Sequence, residues 1–229
     1  LKKRLIKLKR MTGFMPVREE SHQRLTKFLA ENRKKMVTLP IIYQRLFRME
    51  AFKDERFFEG REQELEDISD VFETWKNNTH ANVTIIGESG SGKTTLLYFA
   101  EKKIFKGYSI SKIDFENKIT DTDQLFTSLN SKMGNDSITS WSDLEEYILN
   151  LDKARVVIVE NLHNIFIRTI NGFDTIERFM LFMTKTYKKI FWVVSCGLYS
   201  WNYLDRVLKI SKYFTNVCIL PEFSAEKIQ

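Results

Sequence analysis

The sequence predicts an α/β protein in which a five-stranded parallel sheet lies between two layers of helices, preceded by a basic helical extension. Five short stretches rich in apolar and β-branched residues alternate with stretches of helical periodicity. This alternation is typical of a parallel sheet, because parallel neighbours need a long connection, usually a helix. The predicted strands are residues 83–86, 108–115, 155–160, 190–196 and 216–220.

The composition is that of a globular protein, since 43% of the 229 residues are hydrophobic and 13% are aromatic. No apolar run approaches the roughly 18 residues of a membrane-spanning helix, and no signal-peptide pattern is present, so we expect a cytoplasmic location. Two cysteines and three histidines are too scattered for a metal site or a disulfide framework. We expect Cys196 and Cys218 to be small core residues.

Basic charge is concentrated in residues 1–50, which we predict to be a helical extension separate from an α/β domain at 51–229. The extension has 14 Lys and Arg against 4 Glu, a net charge of +10, whereas the remainder has 22 basic and 26 acidic residues, a net charge of −4. In residues 1–10, Leu1, Leu5 and Leu8 share one helical face beside six Lys and Arg. This segment could bind an anionic membrane surface, follow a transmembrane helix, contact nucleic acid or pack on the protein itself.

A helix is predicted to follow the segment FFEGREQEL at residues 57–65. Gly60 permits a turn, and Glu62 and Glu64 favour the positive amino end of a helix. The apolar face of that helix consists of Leu65, Ile68, Val71, Phe72 and Trp75.

The first predicted strand runs into a glycine-rich loop that matches the phosphate-binding pattern G-x-x-x-x-G-K-[ST]. Inward-facing N–H groups and the positive end of the next helix would bind phosphate there. We expect Lys93 to reach the β- and γ-phosphates of a nucleotide, Thr94 to ligate Mg²⁺ and Thr95 to lie near the α-phosphate. The predicted nucleotide-binding residues of this segment are Gly87, Glu88, Ser89, Gly90, Ser91, Gly92, Lys93, Thr94 and Thr95.

Helices are predicted between the later strands, at residues 121–133, 140–151, 173–189 and 198–209. Asp121 and Ser140 are the expected N-caps of the first two, because their side-chain oxygens can accept hydrogen bonds from free N–H groups of the first turn. The third strand ends in Glu160, which Asn161 follows, and the fourth contains Ser195 near its end.

Together these motifs resemble AAA+ and STAND NTPases, especially the replication-initiator branch, over about residues 55 to 229. The box F-x-G-R-x-x-E-L at residues 58–65 looks like the segment that lines the adenine pocket, which implies adenine contacts for Phe58 and Arg61. The run RVVIVE looks like a Walker B strand, which implies that Glu160 holds Mg²⁺ and that Asn161 occupies the place of the usual catalytic Glu. An amide can orient a water molecule but cannot take its proton at neutral pH, so hydrolysis should be slow.

The resemblance also assigns residues on the later strands. Ser195 corresponds to the sensor 1 residue, which reaches the γ-phosphate or the attacking water, although a serine at a strand end is more often an ordinary satisfied hydroxyl. Lys212 stands where the arginine finger would reach a neighbouring subunit, and a lysine there lacks the planar fork of arginine. The helical lid is expected to be missing after the fifth strand. We also expect the strand that runs into the glycine-rich loop to neighbour the Walker B strand in the sheet.

The leading hypothesis is an ATP-binding switch domain of a larger protein, in which Mg²⁺ and nucleotide state control conformation or self-association, and which is at most a slow ATPase. One alternative is an ATPase that loads or remodels nucleic acid with the basic extension. Another is a P-loop small-molecule kinase, which should lack a strand between the loop and the Walker B strand. The predicted strand at 108–115 argues against that kinase.

Overall fold

The computed structural model describes residue 58, residues 60–168 and residues 172–221. The predictions for the basic extension, for its boundary near residue 50 and for the lid lie outside these ranges. Within the described ranges, no helix combines the length and the apolar character needed to cross a membrane.

Strands and helices alternate along the described chain as the sequence predicts, apart from small shifts at the ends of the elements. Short 3₁₀ helices lie at Leu162–Asn164 and Ile210–Tyr213. In chain order the other elements are α1 (Glu62–Lys76), β1 (Val83–Gly87), α2 (Lys93–Lys103), β2 (Ser109–Asp114), α3 (Thr122–Met133), α4 (Trp141–Leu149), β3 (Arg155–Glu160), α5 (Asp174–Thr186), β4 (Ile190–Gly197), α6 (Leu198–Leu208) and β5 (Asn216–Ile219).

The five strands form one parallel sheet in the order β2-β3-β4-β1-β5. This confirms the predicted sheet, but the expectation that the loop strand β1 neighbours the Walker B strand β3 is wrong. Strand β4 lies between them, with Val193 paired to Val83 on one side and to Ile158 on the other. The first seven residues of β4 are all buried, and so long an apolar strand is most favourable in the centre of the sheet, covered on both faces.

Helices cover both faces of the sheet and produce two apolar cores, which confirms the predicted three layers. One core joins α1 and α2 to the sheet and includes Ile68, Phe72, Ile85, Leu96, Phe105 and Phe191. The other joins α3, α4, α5 and α6 to the opposite face and includes Leu125, Leu144, Phe179, Phe182, Trp192 and Leu204. Cys196 and Cys218 are both buried and unbridged, as expected.

The predicted helix caps are also confirmed. The Asp121 carboxylate accepts hydrogen bonds from the N–H groups of Asp123 and Gln124 at 3.1 and 2.8 Å. Ser140 accepts one from the N–H of Asp143 at 3.2 Å, while the Asp143 carboxylate accepts one from the N–H of Ser140 at 3.1 Å. Local side-chain chemistry thus defines where α3 and α4 begin.

Candidate nucleotide-binding site

The glycine-rich loop lies at the carboxyl edge of the sheet, where all five parallel strands end. Gly90 and Gly92 have φ angles of 81° and 88°, which place both in the left-handed region that favours glycine. A Cβ atom built on Gly87 would lie 2.3 Å from Oγ of Ser91, so the loop folds tightly back on its first residue. Gly92 is the N-cap of α2, and the positive end of that helix therefore faces the loop.

Lys93, the first residue of α2, folds over this loop. Its Nζ donates hydrogen bonds to the carbonyl oxygens of Gly87 at 3.0 Å and Glu88 at 2.6 Å. Burial lowers the pKa of Lys93, while the nearby Cys196 and Glu160 act in the opposite direction. The loop therefore holds a partly desolvated ammonium group beside its own backbone, which suits the recognition of a phosphate anion.

Thr94 connects this loop to the end of β3. Its Oγ1 donates a hydrogen bond to Oε2 of Glu160 at 2.7 Å. The two side chains predicted to hold Mg²⁺ are therefore in contact, although 66 residues separate them in the chain. A hydroxyl and a carboxylate are oxygen ligands of the kind that Mg²⁺ prefers, so these residues fit the ion.

Asn161 adopts a left-handed conformation with a φ of 60° and turns its side chain toward β2. Its Nδ2 donates a hydrogen bond to Oδ1 of Asp114 at 2.7 Å. Asp114 is the last residue of β2 and pairs with Glu160 in the register of the two strands. The sequence analysis missed Asp114, although a carboxylate at the end of a predicted parallel strand was a signal that could have found it.

Ser195 lies inside the sheet, two residues before β4 ends. It is 2% exposed and pairs with Ile85 of β1 in the strand register. Cys196, the next residue, is near enough to Lys93 for the ammonium charge to lower the pKa of the thiol, although burial dominates and raises that pKa to about 12. No described contact joins Ser195 to the loop lysine, and the sensor role of Ser195 stays a prediction.

Arg61 links three separate segments beside the loop. Its guanidinium donates hydrogen bonds to the carbonyl oxygens of Ser91 at 3.3 Å and Pro221 at 2.8 Å, and it forms an ion pair with Glu64 at 2.8 Å. The side chain is only 6% exposed. Arg61 thus joins the amino end of α1, the loop and the segment after β5, so the F-x-G-R-x-x-E-L box lies on the β5 side of the loop.

Phe58 packs against α2, with its ring centroid 4.1 Å from that of Phe99. The structure thus places Arg61 beside the loop and Phe58 against the middle of α2, and the predicted adenine contacts of both residues stay predictions.

His163 is a second residue that the sequence analysis missed. It lies in the 3₁₀ turn directly after β3, and the charge of Lys93 contributes to lowering its pKa. Its position three residues after Glu160 was the only signal in the sequence. The carboxyl edge of the sheet therefore holds His163 beside the predicted nucleotide-binding residues.

Comparison with solved structures identifies the fold. The chain aligns with the Orc1 protein of Aeropyrum pernix in complex with DNA at a TM-score of 0.53, with 14% identity over 78% of this chain and 48% of the other. It aligns with Cdc6p of Pyrobaculum aerophilum at 0.54, with 16% identity over 78% and 49% of the two chains. A Walker-type ATPase of Pyrococcus abyssi aligns at 0.51, with 15% identity over 80% and 59%.

The chain therefore has the fold of these Orc1 and Cdc6 proteins. The chain spans only 48% to 59% of the length of these three proteins. No protein-family model and no curated protein matches the sequence.

In this fold, Lys212 lies just before the amino end of β5, whereas the glycine-rich loop follows the carboxyl end of β1. It belongs to the 3₁₀ helix just before β5, where Nδ2 of Asn82 donates a hydrogen bond to the carbonyl oxygen of Tyr213 at 2.8 Å. The exposed side chain of Lys212 lies over the Tyr213 ring, with Nζ 4.9 Å from its centroid. The predicted contact of Lys212 with a neighbouring subunit stays a prediction.

Proposed function

We propose that the chain is an ATP-binding switch domain of a larger protein, in which nucleotide state controls conformation or self-association. The observation that carries this proposal is the hydrogen bond between Thr94 and Glu160, which joins the end of the phosphate-binding loop to an acidic strand end. Mg²⁺ held by these two side chains would neutralise charge on the β- and γ-phosphates. Lys93 would bind the same phosphates, and the loop N–H groups would surround them.

Hydrolysis should be slow in this switch. The side chain of Asn161 has no proton-accepting group that is effective at neutral pH, and its amide donates to Asp114. ATP would therefore remain bound long enough to hold one conformation or one assembly. This property separates a switch from an enzyme that consumes ATP for metabolism.

The test compares Mg²⁺-ATP titrations of the wild type, Lys93→Ala and Lys106→Ala. We expect Lys93→Ala to bind ATP at least about tenfold more weakly, a loss of about 1.4 kcal/mol, because an ammonium group that contacts phosphate is removed. Lys106 is an exposed lysine a short distance after α2, so its replacement controls for the lost charge. Equal affinities for all three proteins would refute the proposal.

A second candidate function is an ATPase that loads nucleic acid. It is favoured by the net charge of +10 in residues 1–50 and by the structural similarity to an Orc1 protein that was solved in complex with DNA. DNA binding that weakens with salt and disappears when residues 1–10 are deleted would support it. Co-sedimentation with anionic vesicles, measured in parallel, would instead assign residues 1–10 to a membrane surface.

A further inference from the structure

His163 is held in a fixed turn between β3 and the loop that follows it. Its carbonyl oxygen accepts a hydrogen bond from Nζ of Lys118 at 2.7 Å. The next residue, Asn164, donates its backbone N–H to the carbonyl oxygen of Asn161 at 2.8 Å and its side-chain amide to that of Phe115 at 2.7 Å. The position of the imidazole at the sheet edge is therefore set by the surrounding backbone.

The imidazole faces the end of β4. A Cβ atom built on Gly197, the last residue of β4, would lie 3.8 Å from Nδ1 of His163, and the backbone of His163 contributes to lowering the pKa of the neighbouring Cys196 thiol. Gly197 pairs in register with Gly87, the first residue of the phosphate-binding loop. His163 thus lies across β4 from that loop.

Charges around His163 locate it relative to the predicted phosphate site. Burial is the main reason why its pKa is lowered, and the charges of Lys118 and Lys93 lower it further, whereas Asp114 acts in the opposite direction. The hydrogen bond between Thr94 and Glu160 brings the start of α2 to the end of β3, three residues before His163. Both side chains therefore lie near the same region of the carboxyl edge.

Nδ1 of His163 is buried and has no hydrogen-bond partner among the residues that the structure describes. Buried polar atoms almost always have a partner, and an unpartnered one costs stability. A phosphate oxygen would be such a partner, because an imidazole N–H donates well to an anion.

The direction of a bound nucleotide follows from the fold. Arg61 and the F-x-G-R-x-x-E-L box lie on the β5 side of the loop, whereas His163 lies on the β3 side, with β1 and β4 between them. A nucleotide whose base lies near the box and whose phosphates follow the loop would extend its terminal phosphate toward β3. The group nearest to His163 would then be the γ-phosphate.

We propose that His163 distinguishes a nucleoside triphosphate from a diphosphate by donating a hydrogen bond to the terminal phosphate. This inference rests on the proposed nucleotide binding and assigns to His163 the discrimination between a bound triphosphate and a bound diphosphate. A switch needs such a residue, because a protein that binds ATP and ADP equally well cannot change conformation between them.

The experiment measures the dissociation constants of Mg²⁺-ATP and Mg²⁺-ADP for four full-length proteins: wild type, His163→Ala, His163→Asn and His80→Ala. We expect His163→Ala to weaken ATP binding about tenfold, as for one hydrogen bond to a charged group, and to leave ADP binding within about twofold. His163→Asn should recover part of the loss, because its amide places an N–H near the position of Nδ1. His80 is an exposed histidine that precedes β1 at the opposite edge, so His80→Ala should match the wild type.

The ADP titration separates failure of this inference from failure of the proposed function. A variant that binds ADP like the wild type is folded and has an intact loop. If His163→Ala weakens ATP and ADP equally, or neither of them, His163 does not read the terminal phosphate and the inference is overturned. If the wild type binds neither nucleotide, the proposed function itself fails and the inference fails with it.

Discussion

At the scale of single residues, Asn161 decides how fast ATP would be hydrolysed in the proposed switch. Its amide donates a hydrogen bond to Asp114 at 2.7 Å, so a carboxylate already lies beside the position where a general base is expected. Replacing Asn161 with Glu would bring two carboxylates together, and their repulsion would disfavour the arrangement. An added Asp114→Asn replacement would restore an amide–carboxylate hydrogen bond with the two groups exchanged.

We therefore predict that the double variant Asp114→Asn, Asn161→Glu hydrolyses ATP at least about tenfold faster than the wild type, a barrier lower by about 1.4 kcal/mol. Asn161→Glu alone should give a smaller gain, and Asp114→Asn alone should remain slow. Single-turnover phosphate release measures all four rates. A wild-type rate of several per second, or a double variant no faster than the wild type, would show that the base lies elsewhere.

At the scale of secondary-structure elements, Arg61 holds together parts of the chain that are far apart in sequence. Its guanidinium donates to the carbonyl oxygens of Ser91 and Pro221, which are 30 and 160 residues away. Removing the guanidinium would leave two carbonyl oxygens without this donor in a largely buried place. The loop and the segment after β5 would then lose a shared attachment to α1.

We predict that Arg61→Ala lowers the free energy of unfolding by about 1–3 kcal/mol, and that Arg61→Lys recovers only part of it because lysine cannot donate as a planar fork. Urea unfolding monitored by circular dichroism gives the values. Arg206→Ala is the matched control, since Arg206 lies exposed near the end of α6. If the urea concentration at the unfolding midpoint is the same for Arg61→Ala and Arg206→Ala, the structural role assigned to Arg61 is contradicted.

At the scale of the whole molecule, Lys212 is the residue that we expect to contact a neighbouring copy of the protein during self-association. It lies exposed in the 3₁₀ helix that precedes β5, whereas the glycine-rich loop of its own chain follows β1. A lysine can attract several phosphate oxygens across an interface even where its geometry does not suit catalysis. ATP bound to one molecule would then promote contact with Lys212 of the next without being consumed.

The prediction is that ATP increases the light scattering of the wild type at moderate salt and that Lys212→Ala abolishes this increase. Because the attraction involves charges near solvent, higher salt should weaken it. Lys188→Ala is the control, because Lys188 is exposed and also precedes a strand, β4, at the amino edge. If ATP does not increase the light scattering of the wild type, or increases it no more than that of Lys212→Ala, then Lys212 is an ordinary surface residue and the switch acts within one chain.

Much of this architecture follows from short-range patterns in the sequence. Asp121 and Ser140 define the starts of α3 and α4 through hydrogen bonds to residues two or three positions away. Apolar periodicity identified the buried face of α1, and Gly90 and Gly92 marked the loop whose left-handed backbone they permit. Local conformational preference and side-chain spacing encode these features, so the sequence by itself determined the elements and the three-layer α/β class.

The order of the strands across the sheet, and the contacts between residues that are far apart in sequence, were decided only by the tertiary structure. Strand β4 lies between β1 and β3 because the most apolar strand is most favourable in the centre of the sheet, and nothing near the loop in sequence specifies that position. Likewise, Asn161 contacts Asp114, and His163 lies beside Gly197 at the end of β4, only because parallel strands bring their carboxyl ends to one edge. Sequence patterns predicted the glycine-rich loop and paired Thr94 with Glu160, whereas the packing of the whole sheet determined which side chains surround them.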